Sequence, residues 1–248
     1  MSKFTKAIAV IMLIIAAAMV VGCNKPDGSG NSGNNSGQND SIGNHNGALD
    51  GHDYVDLGLP SGTLWATCNV GADTPEDFGG YFAWGETMPK EVYDWKSYQF
   101  GGFAHDRYEL NKYCTDSSCG LNGFVDNVLF LEPVDDVVRA NWGSDWRMPD
   151  RDEWEELLLN TTSTWTTQNG VEGWCFTASN GKCLFLPAAG YYWEENLNAG
   201  LGLYWSSMIN KEFPYRTWGI HFNPYQCHIC GSSDRNRGQS VRAVRVVK

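Results

Sequence analysis

The sequence predicts a single α+β domain with two helices, short antiparallel strands and long loops, spanning residues 51–248 of the 248-residue chain. Three observations carry that prediction. Near Gly51 a tract of Gly, Ser and Asn gives way to aromatic, Gly-rich sequence, and all 11 Trp lie beyond residue 64. Strand-like runs beyond that point are short and numerous. Only two stretches show a helical apolar stripe. A body of about 200 residues can bury about 70% of the surface its unfolded chain exposes, so one sizeable core is feasible.

In chain order, the strand-like runs are 54–57, 64–68, 81–84, 174–177, 182–186, 204–207, 217–223 and 240–247. Asn180-Gly181, between two of them, is a strong hairpin signal. The first helix is expected to begin near Pro133, a favourable first-turn residue, with Val134, Val137 and Val138 on one face. The second follows Asp150 as N-cap, with Glu153 three residues on as a near capping box and Trp154, Leu157 and Leu158 as its apolar stripe. Pro149, which has no N–H to donate, ends the strand before it. Arg147 reads as a buried or half-buried partner for a carboxylate, because buried charge must be paired.

The N-terminal segment has its own logic. Lys3 and Lys6 precede an apolar run over 7–21, which Gly22 and Cys23 close. That is the layout of a bacterial lipoprotein signal, 1–22, with Cys23 as the lipidated residue. The run is shorter than the roughly 20 residues a spanning helix needs. Residues 23–50 then read as a lipidated Cys and a flexible tether, with an r.m.s. reach of about 30 Å. Asp40-Ser41-Ile42 matches a short O-glycosylation pattern of Bacteroidota or is plain linker. The expected location is the cell envelope, lipid-anchored, at the outer membrane or cell surface.

The full chain carries 18 basic and 29 acidic residues, and removing residues 1–22 takes away two lysines and no acid, so the net charge falls from −11 to −13. Such a surface repels nucleic acid and anionic headgroups. The lipid, rather than a basic patch, is then what holds the chain to a membrane.

Several motifs occur together in a fixed order. Tyr54-Val55-Asp56-Leu57-Gly58-Leu59-Pro60-Ser61-Gly62-Thr63-Leu64-Trp65-Ala66 comes first, then Tyr81-Phe82-Ala83-Trp84-Gly85-Glu86-Thr87. Asn141-Trp142-Gly143-Ser144-Asp145-Trp146-Arg147-Met148-Pro149 and Phe185-Leu186-Pro187-Ala188-Ala189-Gly190-Tyr191 follow. Tyr204-Trp205-Ser206-Ser207 and Arg237-Gly238-Gln239-Ser240-Val241-Arg242-Ala243-Val244 close the set. Over about 51–248 the chain thus resembles the Fibrobacter succinogenes major paralogous domain, common in surface lipoproteins of Bacteroidota. The resemblance implies a C-type-lectin-like fold related to the formylglycine-generating-enzyme group. Both domain ends would pair in one sheet, with two helices beside it and long loops on one side.

The chemistry-bearing residues support few enzymatic readings. Cys227 and Cys230, with His228 between them and His221 nearby, form the most metal-like cluster, but one CxxC supplies only two of the four ligands zinc needs. No metal and no cofactor is expected. Cys114 and Cys119 bracket a polar loop and could bridge, as could Cys227 and Cys230. Cys175 and Cys183 flank Asn180-Gly181, where a two-residue loop would pair Ala178 with Cys183, so a bridge there needs a longer loop or a bulge. Cys68 reads as a buried free thiol. With Cys23 set aside, seven cysteines remain, so at least one stays free without an intermolecular bridge.

Formylglycine-generating relatives hold copper on a C-terminal cysteine pair, and Cys227 and Cys230 lie in that region with a different spacing. A metal-dependent oxidase of that type is therefore the alternative reading. Asp135-Asp136 and the acids from Asp150 to Glu156 could be imagined as calcium ligands or a hydrolase pair, although the latter group suits a helix N-terminus. No nucleophile elbow, phosphate loop or HExxH pattern occurs, and no catalytic residue is assigned. Glu132-Pro133-Val134 lacks the Asn of calcium-dependent sugar-binding lectins.

Residues 223–237 mix polar residues, Cys, Tyr and Arg without a period and read as an exposed loop. Its candidate ligand-binding residues are Asn223, Tyr225, Gln226, His228, Ser232, Asp234 and Asn236. The tract is either an ordinary polar loop or a surface diversified by adenine-specific mutagenesis, as in some lectin-fold proteins. Trp218, Ile220 and Phe222 would point inward from the preceding strand. The expectation overall is a lipid-anchored binding or adhesion module whose partner, besides the membrane, is a macromolecular or glycan ligand.

Overall fold

A computed structural model describes residues 47–246. The signal segment, Cys23, the 40–42 pattern and most of the tether lie outside the described residues.

The chain ends of this segment meet in one antiparallel sheet. It joins β1 (Gly47–Leu49), β2 (His52–Asp56), β3 (Thr63–Asn69) and β14 (Arg242–Val246) in that order. Trp65 of β3 stands opposite Val55 on one side and Val244 on the other, and all three are fully buried. β1 corrects the tether boundary. Asp50 and Gly51 both take positive φ, 53° and 83°, which is what a two-residue type I′ turn requires. Leu49 therefore pairs with His52 and Gly47 with Tyr54.

Two hairpins and two three-stranded sheets complete the β structure among the described residues. β4 (Gly101–Ala104) pairs with β5 (Arg107–Leu110), and β9 (Tyr191–Trp193) with β10 (Asn196–Asn198). One sheet comprises β6 (Thr161–Gln168), β7 (Val171–Ala178) and β8 (Cys183–Pro187). The other comprises β11 (Gly202–Ile209), β12 (Arg216–Asn223) and β13 (Gln226–Asp234). The expected run at 81–84 forms no strand. It is held by a single bridge from Phe82 to Gln239 and by a hydrogen bond of 2.9 Å from the Trp84 N–H to the Arg235 carbonyl.

The first helix, α1 (Val137–Trp142), starts later than its sequence suggests. Asp136 caps it by accepting the Val138 N–H at 2.9 Å, so Pro133 and Val134 stay in the preceding turn and Val134 is exposed. The same carboxylate accepts the Met148 N–H at 2.9 Å and lies 3.8 Å from the Arg139 guanidinium, so Asp136 is committed to the backbone and to a neighbouring side chain. Asp135 is engaged by Lys112 at 2.6 Å and by the Tyr113 hydroxyl.

The second helix, α2 (Arg151–Asn160), has the expected capping box. Glu153 also receives Arg147 through two contacts of 2.6 and 2.7 Å, the carboxylate partner the sequence called for. Trp154 and Leu157 are fully buried.

Two apolar clusters fill the interior. One is built around Trp84, Tyr93, Val137, Val138, Trp146 and Trp205. The other gathers Trp65, Trp154, Phe176, Leu186, Ile220 and Phe222, with the Trp65 and Trp154 rings 4.7 Å apart. Tyr204-Trp205-Ser206-Ser207 belongs wholly to this interior and offers no exposed sugar platform.

Two fully buried arginines form no ion pair among the described residues. Arg242 donates to the Asn69 side chain at 2.9 Å and to the Ala66 and Thr67 carbonyls. Arg235 donates to the Lys112 and Tyr113 carbonyls and lies over the Trp84 and Tyr98 rings. Burial lowers the pKa of both.

Candidate functional site

Residues 223–237 are mostly strand rather than loop. β13 folds back on β12, with Phe222 opposite Cys227 and His221 opposite His228. Asn223 sets the turn: its side-chain oxygen accepts the Tyr225 and Gln226 N–H groups at 2.9 and 3.2 Å. That leaves Tyr225 93% exposed at the hairpin tip, beside exposed Gln226 and His228. The inward side chains Cys227 and Ile229 pack on the second core.

The seven candidate residues do not form one site. Nine residues of strand, at about 3.3 Å each, separate the tip from Asp234. Asn236 is a correction: it is 4% exposed and donates to the Tyr93 carbonyl at 3.3 Å, held by a segment far away in sequence. Ser233 and Arg235 are buried as well. Ser232 is exposed, and its hydroxyl lies 2.8 Å from the Cys230 sulfur.

At the far end of β13, Asp234 is shared by two arginines. Arg216 reaches one oxygen at 3.3 Å and Arg237 the other at 3.5 Å. Each guanidinium also lies against aromatic rings. Arg216 sits 5.3 Å from the Tyr215 ring centre and 5.9 Å from that of Phe213. Tyr215 stacks on Tyr108 of β5 at 3.8 Å, and Tyr108 meets the exposed Phe103 edge-on. Arg237 sits 5.2 Å from Tyr191 and 5.3 Å from Trp193, both on β9. Phe103, Trp193 and Phe213 are 48, 52 and 44% exposed. The β4–β5 hairpin, the β9–β10 hairpin and the ends of β12 and β13 thus present one band of rings and guanidiniums. The Tyr108 hydroxyl is pushed up to about 12, first by burial and then by the Asp234 charge and Tyr215.

A separate groove of about 590 Å³ opens between Phe78, Tyr81, Tyr192 and Leu197, with Asp73 and Glu76 at its edge. Glu76 is already committed to the Gln168 and Asn169 side-chain amides.

His221 and Ser233 have nucleophile–base spacing, 2.8 Å from ring nitrogen to hydroxyl, with Gln239 donating to the same hydroxyl at 2.8 Å. Burial, then His228 and Arg237, push His221 down to about 4. Ser233 is 4% exposed, so no substrate reaches it, and the contact ties β13 to the segment before β14.

The cysteines divide clearly. Cys175 and Cys183 form a disulfide with Cα atoms 6.1 Å apart. Thr177 pairs with Cys183 and the loop between the strands covers 179–182, with Gly181 alone at positive φ, so the bridge runs diagonally across the ladder. The longer loop that such a bridge required is present. Cys68, Cys114, Cys119, Cys227 and Cys230 are free. Cys227 and Cys230 are three apart on a strand, so they face opposite sides and can neither bridge nor chelate together. Burial pushes the Cys227 thiol up to about 12. Cys114 turns its sulfur to the Asp116 carbonyl at 3.1 Å instead of to Cys119. Cys68 is half-buried rather than buried.

In comparisons with known proteins, no family model, no curated protein and no solved structure matches this chain.

Proposed function

We propose that this protein is a non-enzymatic binding module, tethered by a lipid on Cys23 to the cell envelope and displayed at the outer membrane or cell surface. The observation that carries the reading is the exposed band of aromatic rings and arginines mounted on two hairpins and a sheet. Side chains that leave nearly half of a large apolar ring in water, on a body with two filled cores, are suited to contact with a partner. The His221–Ser233 pair is sealed inside, and the cysteine pair that would serve a copper oxidase is split across a strand. A C-type-lectin-like fold is part of the proposal. It is supported by the paired ends of the described segment and by two helices among many short strands.

The test is a glycan and protein array probed with the wild-type chain and with a Phe103→Ala/Trp193→Ala/Phe213→Ala variant. A ligand bound by the first and lost by the second supports the module; ligands bound equally by both place function elsewhere. Anchoring has its own test: Cys23→Ala should abolish palmitate labelling. Diversification, if it operates, must fall on exposed positions such as Tyr225, Gln226, His228 and Ser232. It requires a near-copy of this coding stretch, differing at adenines, beside a reverse transcriptase gene.

A further inference from the structure

We propose that the band around Asp234 is a two-part site for an acidic oligosaccharide, with sugar rings on Trp193 and Phe213 and ring carboxylates on Arg237 and Arg216. The inference rests on the reading of this chain as a binding module.

Charge is the first argument. The chain has 29 acidic and 18 basic residues, yet here two guanidiniums share one carboxylate. Arg216 and Arg237 are thus two cations on one contacting carboxylate, on a band that exposed Glu212 flanks beside Phe213. Glu194 and Glu195, in the turn after Trp193, bound the site on that side.

Geometry is the second argument. Each guanidinium is already oriented by aromatic rings, Arg237 by Tyr191 and Trp193 and Arg216 by Tyr215 and Phe213. An oriented guanidinium takes a carboxylate through two parallel N–H bonds. Both contacts to Asp234 are long, 3.3 and 3.5 Å, so neither arginine is saturated by it. A pyranose offers a flat face of C–H groups, which the negative face of an aromatic ring attracts. A uronic acid combines the two features in one residue. A chain of uronic acids repeats them, and so do the two arginine–aromatic clusters on either side of Asp234.

The experiment is isothermal titration calorimetry of the full chain with hexagalacturonic acid and with its fully methyl-esterified form, which keeps the rings and removes the charge. The acid is expected to bind at least tenfold more tightly than the ester, and its affinity is expected to fall with added salt. Trp193→Ala and Arg237→Ala should each weaken the acid by tenfold or more, with unchanged thermal unfolding. Asp234→Asn frees both guanidiniums, so it should tighten the acid severalfold and leave the ester unaffected. Equal binding of acid and ester, loss of binding in Asp234→Asn, or no binding of the acid would each overturn the proposal. If the acid fails while another array ligand depends on Phe103, Trp193 and Phe213, the binding module stands and only the acidic-sugar assignment falls. If no ligand depends on those rings, both fall.

Discussion

Arg147 and Glu153 meet in a two-pronged contact, Nη1 to Oε2 at 2.6 Å and Nη2 to Oε1 at 2.7 Å. The same carboxylate accepts the Asp150 N–H at 2.9 Å and the Thr63 hydroxyl at 3.2 Å. One side chain thus joins the start of α2, the strand-like segment before it and β3.

Replacing Glu153 by Ala should cost about 3 kcal/mol in urea unfolding, because it leaves a half-buried guanidinium and a helix N-cap unpartnered together. Arg147→Lys keeps the charge but loses the paired geometry and should cost about 1 kcal/mol. No cost for Arg147→Lys beside a full cost for Glu153→Ala would show that charge alone matters here, and equal costs that the paired geometry does.

Trp218 is half-buried, lying 4.9 Å from the Arg151 guanidinium rather than in the core. Trp218→Ala is therefore expected to cost about 1 kcal/mol, the scale of an exposed cation–π contact. Trp154→Ala should cost roughly 3–5 kcal/mol by emptying a core site. Thermal unfolding of both variants separates the two cases.

Thiol labelling of the denatured chain should count five reactive cysteines beyond Cys23, and two more after reduction, Cys175 and Cys183. Mass spectrometry of the alkylated peptides checks the assignment. Removing this short bridge should cost about 2–3 kcal/mol by the loop-entropy relation.

His221 sets a pH dependence. Its pKa in the folded protein is about 4, below the ordinary 6.5, so the unfolded chain binds more protons between those values. Its contribution is complete above pH 6.5 and is lost as pH falls toward 4, by at most about 3 kcal/mol. His52, also lowered by burial, acts in the same direction. Melting temperature measured from pH 4 to 7 should rise with pH in the wild type and rise less in His221→Gln. An unchanged slope would remove His221 from the account.

Local signals carried much of the architecture. Asp150 and Glu153 announce α2, and the alternating runs locate β2, β3, β7, β8, β11, β12 and β14 to within a few residues. Asp50-Gly51 was an equally strong hairpin signal, but it sits where composition changes, and the compositional boundary masked it. β13 was obscured for a different reason. Cys227 and Ile229 do alternate with Gln226, His228 and Cys230, but the register shifts between Thr217 and Gly219 and breaks the period. Asn236 and Arg235 are buried by partners more than a hundred positions away, Tyr93 and Tyr113, which no window of sequence reveals. The band around Asp234 was legible only in Asp234 itself. Its rings come from four separate segments, and their exposure follows from packing rather than from residue type.

Asn69 of β3 and Arg242 of β14 face each other across 173 positions of chain. The sheet that closes over Trp65 cannot be completed until residues 242–246 are available, so assembly is a single late event rather than a progressive one. Such closure is slow, because a long loop must be organised before its contacts form. A partly synthesised chain has no finished edge on which to settle, and the sheet locks shut only when its far end arrives.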